Sequence, residues 1–178
     1  MSQEFIRDIE ILGLPQFEAA LPDLAELLYD AVDSGASVGF VSPFTRADAE
    51  AWWRSLAADV HAERVLVLLY RVEGRAVGTA QLRLAQLPNA RHRAEVAKVL
   101  VHRDARRRGY GRDLMRTIEA VARRWHRRLL VLDTIAGSDA ERLYERLGWI
   151  KVASIPRYAA FPDGTLAPTT IFYKELAD

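Results

Sequence analysis

Cysteine is absent from this 178-residue chain, which removes disulfides, thiolate zinc sites and cysteine nucleophiles together. Histidine is sparse. His61, His92, His102 and His126 are scattered with neither His-x-x-x-His nor His-Glu-x-x-His spacing, so they read as surface residues and no metal site is expected. No uninterrupted apolar run approaches the length of a membrane span. The first ten residues carry Glu4, Asp8 and Glu10 and lack the apolar stretch of a secretory signal. These absences predict a soluble, cytoplasmic protein with no membrane partner. Net charge is only +1, which argues against a general nucleic-acid binder.

What is present is more pointed. Half of the residues are apolar, enough for one sizeable core and too few for two full domains, so residues 1–178 are expected to form a single domain. From Arg103 to Arg128 ten basic residues stand against three acidic ones, while the rest of the chain is slightly acidic. One region is built to face negative charge.

Hydrophobic periodicity supplies the element order. Residues 5–12 read as a first strand, broken by Gly13 and Pro15. Residues 21–32 have apolar positions at helical spacing, with Pro22 tolerable in the first turn. Residues 34–40 read as a loop. Thr45 is a candidate N-cap for a second helix, marked by Ala49, Trp52, Trp53, Leu56 and Val60, whose tryptophans read as core. Residues 64–72 and 76–85 form a hairpin around Glu73-Gly74-Arg75. Strands at 95–101 and 129–132 flank a helix at 110–127, which implies parallel pairing through a right-handed crossover. A short helix at 140–147 and strands at 149–155 and 169–175 complete the chain, with a turn at Pro162-Asp163-Gly164.

Between the fourth strand and its following helix lies Arg106-Arg107-Arg108-Gly109-Tyr110-Gly111-Arg112. Glycines there allow a sharp turn and close backbone approach, and the amides and positive dipole end of the new helix attract an anion. The arginines add charge-assisted hydrogen bonds, and a pyrophosphate suits the combination. A dinucleotide-binding turn would need glycine where Leu114 stands, and a P-loop would need Gly-Lys-Ser/Thr. Arg116, Arg123, Arg124, Arg127 and Arg128 read instead as a solvated helix face.

The chain resembles the GNAT superfamily of N-acetyltransferases. Its Arg106-Arg107-Arg108-Gly109-Tyr110-Gly111 is similar to that family's pyrophosphate loop, and Ala140-Glu141-Arg142-Leu143-Tyr144-Glu145-Arg146-Leu147-Gly148-Trp149 resembles its downstream helix and strand. Many members have asparagine where Gly137 stands, leaving any cofactor contact there to Ser138 or to the backbone. Within the superfamily the segments 35–40, 93–96, 132–134, 136–138 and 162–164 are similar to those of the tabtoxin-resistance acetyltransferases, which inactivate a β-lactam dipeptide toxin. The resemblance implies an α/β (α+β) fold: a mixed, mostly antiparallel seven-stranded sheet with a parallel pair at the fourth and fifth strands and helices on both faces.

It also implies acetyl-CoA as cosubstrate, a small amine as acceptor, and a possible homodimer. The pantetheine arm would add to the edge of Val99, Leu100 and Val101 by main-chain hydrogen bonds, with an amide near Val99 facing the thioester oxygen. Arg106 to Arg108, Gly109, Tyr110, Gly111, Arg112 and Ser138 complete the cofactor set, with Tyr110 packed beneath the loop.

An amine is mostly protonated at neutral pH, so attack needs a base. Glu95, opening the fourth strand, and Asp133, ending the fifth at its carboxyl edge, match acidic positions of the toxin-inactivating relatives. The plainer readings pair Glu95 with Arg93 and make Asp133 a helix cap or salt-bridge partner. Tyr144 has a phenol able to donate to the departing thiolate, or is one more apolar-face aromatic. Two other functions share the motifs: transfer to a protein or peptide amine, and a non-catalytic acyl-CoA-binding module.

Overall fold

The computed structural model describes residues 8–177. Its seven strands are β1 (Ile9–Ile11), β2 (Val65–Val72), β3 (Arg75–Leu84), β4 (Arg93–Val101), β5 (Leu129–Ile135), β6 (Ile150–Ala160) and β7 (Leu166–Glu175). They form one sheet in the order β1-β2-β3-β4-β5-β7-β6. All neighbours are antiparallel except β4 and β5, as the strand-helix-strand order requires. Residues 5–7 of the expected first strand lie outside the described residues, and the remainder is β1.

Helices α1 (Leu14–Ala19), α2 (Leu21–Asp33), α3 (Arg46–Arg54) and α4 (Ala57–His61) cover one face; α5 (Tyr110–Arg124) and α6 (Asp139–Arg146) cover the other. Each face buries its own core. On the first, Phe17, Leu24, Leu28 and Trp53 pack on Val67 and Leu69. On the second, Leu114, Met115, Ile118 and Val121 of α5 pack on Leu68, Ala80 and Leu82. Alternation along β2 and β3 sends successive side chains to opposite layers, which is why both strands are buried almost throughout.

Two helix expectations need correction. Gly13 and Pro15 do not simply break the chain: Gly13 is the N-cap of α1 and Pro15 sits in its first turn, where the missing N–H is not needed. The second helix is two pieces, α3 and α4, separated at Ser55 and Leu56. Thr45 does cap α3, its Oγ1 accepting from Asp48 N at 3.1 Å while the Asp48 carboxylate accepts from Thr45 N at 2.9 Å. Trp53 is fully buried, whereas Trp52 is only half-buried. Arg127 is also half-buried, not part of a solvated face.

β6 is the free edge of the sheet, and Ile150, Val152, Ile155 and Tyr158 along it are exposed. No helix among the described residues is long and apolar enough to cross a membrane.

Candidate active site

The sheet opens in its middle. β4 and β5 pair only at Arg93↔Leu129, Ala94↔Leu130 and Glu95↔Val131, after which β5 continues against β7 alone. The edge of β4 beyond Glu95 is therefore free on the β5 side. On the β3 side the register jumps from Gln81↔Ala97 to Thr79↔Leu100, so Lys98 and Val99 have no partner in either neighbour. This is a bulge, and Lys98 adopts a φ of 49° to make it. Extra twist at a bulge turns the end of β4 away from β5 and widens the opening.

A cleft of about 810 Å³ occupies the gap. Glu95, Lys98 and Val99 line it from β4, and Asp133, Ser138 and Tyr144 from the β5–α6 side. Two segments roof it, the loop at residues 37–41 and the end of β6 with the loop that follows, residues 159–161. They are tied together: Ser37 Oγ donates to Ala160 O at 2.6 Å, and Ser42 N donates to Pro162 O at 2.8 Å.

The carboxylates expected from the sequence meet here. Glu95 does not pair with Arg93; its nearest cation is Arg83, the cross-strand partner on β3, at 4.0 Å. Asp133 is exposed, its carboxylate forms no ion pair or hydrogen bond with any described residue, and it caps no helix, because Ser138 caps α6. Ser138 Oγ accepts from Glu141 N at 3.1 Å. Gly137, at φ 77°, donates its N–H to the Glu141 carboxylate, so this stretch serves to anchor the loop before α6.

Tyr144 packs its ring against Trp149 and Phe172 in the core, and its hydroxyl has no hydrogen-bond partner among the described residues. Burial, reinforced by the negative charge of Asp133, pushes the phenol well above its ordinary value. It stays protonated at neutral pH, so its O–H is available to donate.

One residue in the cleft escaped the sequence reading. Lys98 sits with Nζ 5.1 Å from the Trp52 ring centroid and 5.9 Å from that of Phe40. Burial draws its ammonium down to about 8; Arg83 pushes the same way, and Asp133 and Glu95 oppose. In Glu95-Val96-Ala97-Lys98-Val99 strand alternation puts it in step with the buried Val96, and nothing local marks the bulge. The bulge turns it to the opposite face, toward Trp52 and Phe40.

The glycine-arginine turn joins β4 to α5 next to the open edge. Gly109, at φ 90°, is the N-cap of α5 and offers no side chain to the first-turn amides. A Cβ on Gly111 would stand 3.3 Å from Leu143 Cδ2, so the turn is closely fitted against α6. Uncapped amides, the helix dipole and the exposed Arg107, Arg108 and Arg112 suit a pyrophosphate. Arg106 is more committed: it donates to Val101 O at 3.1 Å and Ser34 Oγ at 2.9 Å, fastening the turn to β4 and α2. Tyr110 points down onto Tyr70 at 5.0 Å, as expected of a residue beneath the turn. Leu100 has its side chain in the core, so only its backbone can meet a ligand, while the free edge from Val99 to Val101 suits an extended amide chain.

Solved structures share this architecture across nearly the whole chain. A ribosomal-protein-alanine N-acetyltransferase from Brucella melitensis superposes with a TM-score of 0.77 at 22% identity, covering 94% of this chain and 99% of its own. The putative acetyltransferase YncA from Salmonella typhimurium, solved with acetyl-CoA, gives 0.76 at 21% identity over 96% and 94%. A putative phosphinothricin N-acetyltransferase gives 0.78 at 18% over 96% and 98%. At these identities the likeness establishes the fold. The sequence pattern of the acetyltransferase (GNAT) family matches residues 21–149, a span running from α2 through the glycine-arginine turn to α6 and Trp149. The chain therefore belongs to the GNAT acetyltransferase family, with acetyl-CoA as its cosubstrate.

Proposed function

We propose that this protein transfers the acetyl group directly from acetyl-CoA to the amine of a small acceptor lodged between Glu95 and Asp133. The observation that carries this reading is the meeting of two weakly partnered carboxylates and the Tyr144 hydroxyl in one roofed cleft at the β4–β5 opening. One carboxylate takes a proton from the ammonium. The freed nitrogen attacks the thioester carbonyl, its oxygen drawn toward a backbone amide near Val99, and the carbon–sulfur bond breaks as the carbon–nitrogen bond forms, the nitrogen's surplus proton passing to the departing thiolate.

Tyr144 then meets the sulfur. Its phenol, held above its ordinary value, is a weaker acid than a thiol of ordinary pKa, about 8.5, so complete proton transfer to the thiolate would run uphill. Its role is to donate a hydrogen bond to the developing charge. Val99, Leu100 and Val101 supply main-chain contacts to the pantetheine arm; Arg106, Arg107, Arg108, Gly109, Gly111 and Arg112 surround the pyrophosphate, and Ser138 lies on the far wall.

The tied roof segments support an acceptor of about dipeptide size, a class that includes amine-bearing toxins such as the tabtoxin β-lactam. The exposed edge strand β6 supports a homodimer as the working form. Thiol release from acetyl-CoA should be screened against amino acids, polyamines, aminoglycosides, dipeptides and a lysine-bearing peptide. A small amine should lead. A long peptide or protein outrunning every small amine tenfold would sink the small-acceptor reading.

A further inference from the structure

The cleft holds cations as well as carboxylates, and they are not equivalent. Arg106 is fastened to Val101, Ser34 and the neighbourhood of Asp30. Arg83 donates to Gln81 Oε1 at 3.1 Å and lies 4.0 Å from Glu95. Lys98 is different. Its ammonium forms no ion pair or hydrogen bond with any described residue; it packs against the rings of Trp52 and Phe40, with the charges of Arg83, Asp133 and Glu95 acting on it from farther off.

Withdrawing an ammonium from water without a carboxylate is unfavourable, and ring faces compensate only in part. A methionine would fill the same space without that penalty. The backbone is also held in an uncommon conformation, a left-handed lysine at a bulge, and bulges beside active sites re-aim side chains. Gly39 of the roof comes close: a Cβ there would stand 3.7 Å from Lys98 Nζ. The charge is thus enclosed between roof and strand, on the wall that also carries Glu95, with Asp133 across the opening.

We propose that Lys98 recognises an anionic group on the acceptor, and that the acceptor is a zwitterion of the amino-acid type: an amine for Glu95 and Asp133, and a carboxylate or phosphinate for Lys98. The proposal rests on the acetyl-transfer reading and adds the substrate class. Opposite charges on one small molecule match opposite charges in one cleft, so an amine without an acid leaves Lys98 unanswered and an acid without an amine leaves the carboxylates unanswered. Specificity then comes from the penalty of a group left unpaired.

The test uses acceptor pairs that differ only by the carboxylate: phenylalanine and phenethylamine, methionine and 3-(methylthio)propylamine, leucine and isoamylamine. Wild-type protein should favour the amino acid of its best pair by about tenfold or more in kcat/KM, mostly through KM. Lys98→Met should erase most of that ratio, and Lys98→Arg should keep it. Lys98→Gln serves as a second neutral variant should Lys98→Met not fold, folding being checked by circular dichroism. An unchanged ratio in a folded neutral variant, or wild-type preference for the decarboxylated amine, would overturn the assignment of Lys98. If acetyl-CoA binds by calorimetry and only peptides or simple amines are acetylated, the zwitterion class falls and acetyl transfer stands. If acetyl-CoA does not bind, the acetyl-transfer reading fails with it.

Discussion

Glu141 and Glu95 are the same residue type on either side of the same opening, and the structure treats them in opposite ways. The Glu141 carboxylate is buried and accepts from Gly137 N, from Lys151 Nζ at 2.9 Å and from Thr170 Oγ1 at 2.9 Å. Glu119, buried under α5, is likewise satisfied by Lys174 Nζ at 2.8 and 2.9 Å and by Trp149 Nε1 at 3.2 Å. In the cleft, Glu95 has one loose ion-pair neighbour, and the Asp133 carboxylate and Lys98 ammonium have no ion-pair or hydrogen-bond partner among the described residues. Buried charges that are fully answered within the chain fix its elements in place. Charges gathered in a cleft and left unanswered are what a ligand can use.

The contrast makes quantitative demands. Glu95→Gln and Asp133→Asn should split activity from stability: the variant that removes the base should lose roughly 10²–10⁴ in kcat/KM. Stability should move by about 0.5 kcal/mol or less, since neither group is firmly paired. The acid limb of the kcat/KM profile should disappear with the base. If both variants keep it, the amine is deprotonated elsewhere and the cleft carboxylates lose their assigned role.

Glu141→Gln should do the reverse, acting first on folding. Hydrogen bonding to Lys151 and to Gly137 N holds the carboxyl down at about 2, against 4.5 for the free group. A depressed carboxyl stabilises the fold above its unfolded value and loses that contribution as pH falls from about 4.5 toward 2. Half-exposure of Lys151 screens the pair, so about 2 kcal/mol at pH 7 is expected to be lost. Urea titrations at pH 7 and pH 3 should show the difference between wild type and variant shrinking at the lower pH. A constant difference would place the effect in packing instead of charge.

Lys98→Met tests the cleft from the other side and carries the smallest effect. The Lys98 ammonium titrates at about 8 in the fold and near 10.5 unfolded, so the native state binds the proton less tightly. At pH 7 the full unfavourable contribution is present; it is relieved as pH rises from about 8 to 10.5. Removing the charge should therefore stabilise the protein at pH 7 by about 1–2 kcal/mol, with the gain fading toward pH 10.5. A destabilised variant at pH 7 would mean that Lys98 serves the fold.

Much of the architecture was legible from local signals. Helix α5 was expected from periodic Leu114, Met115, Ile118, Val121 and Ala122, all fully buried in the structure. The β2–β3 hairpin followed from Glu73-Gly74-Arg75, and the parallel pair from the order strand, helix, strand. Such features depend on residues within a turn or two of one another. The short helix α1 was missed because a glycine and a proline two apart read as a break, and nothing local distinguishes a break from a capped first turn. Ties between distant segments were equally silent, among them Asp30 of α2 accepting from Arg103 N at 2.9 Å.

By itself the sequence determined the strand and helix order, the glycine-arginine turn between β4 and α5 and the choice of Glu95, Asp133 and Tyr144 as candidates, because residue type and short spacing carry those messages. Tertiary structure alone decided that β4 parts from β5 after Glu95 and that a bulge at Lys98 and Val99 turns a lysine to the opposite face, under a roof of two segments. The reason is physical: a strand's register depends on both of its neighbours at once, and Lys98 lies 15 residues or more from every group that surrounds its ammonium except Glu95, from Arg83 to Trp52 and Asp133, as the folded chain alone reveals.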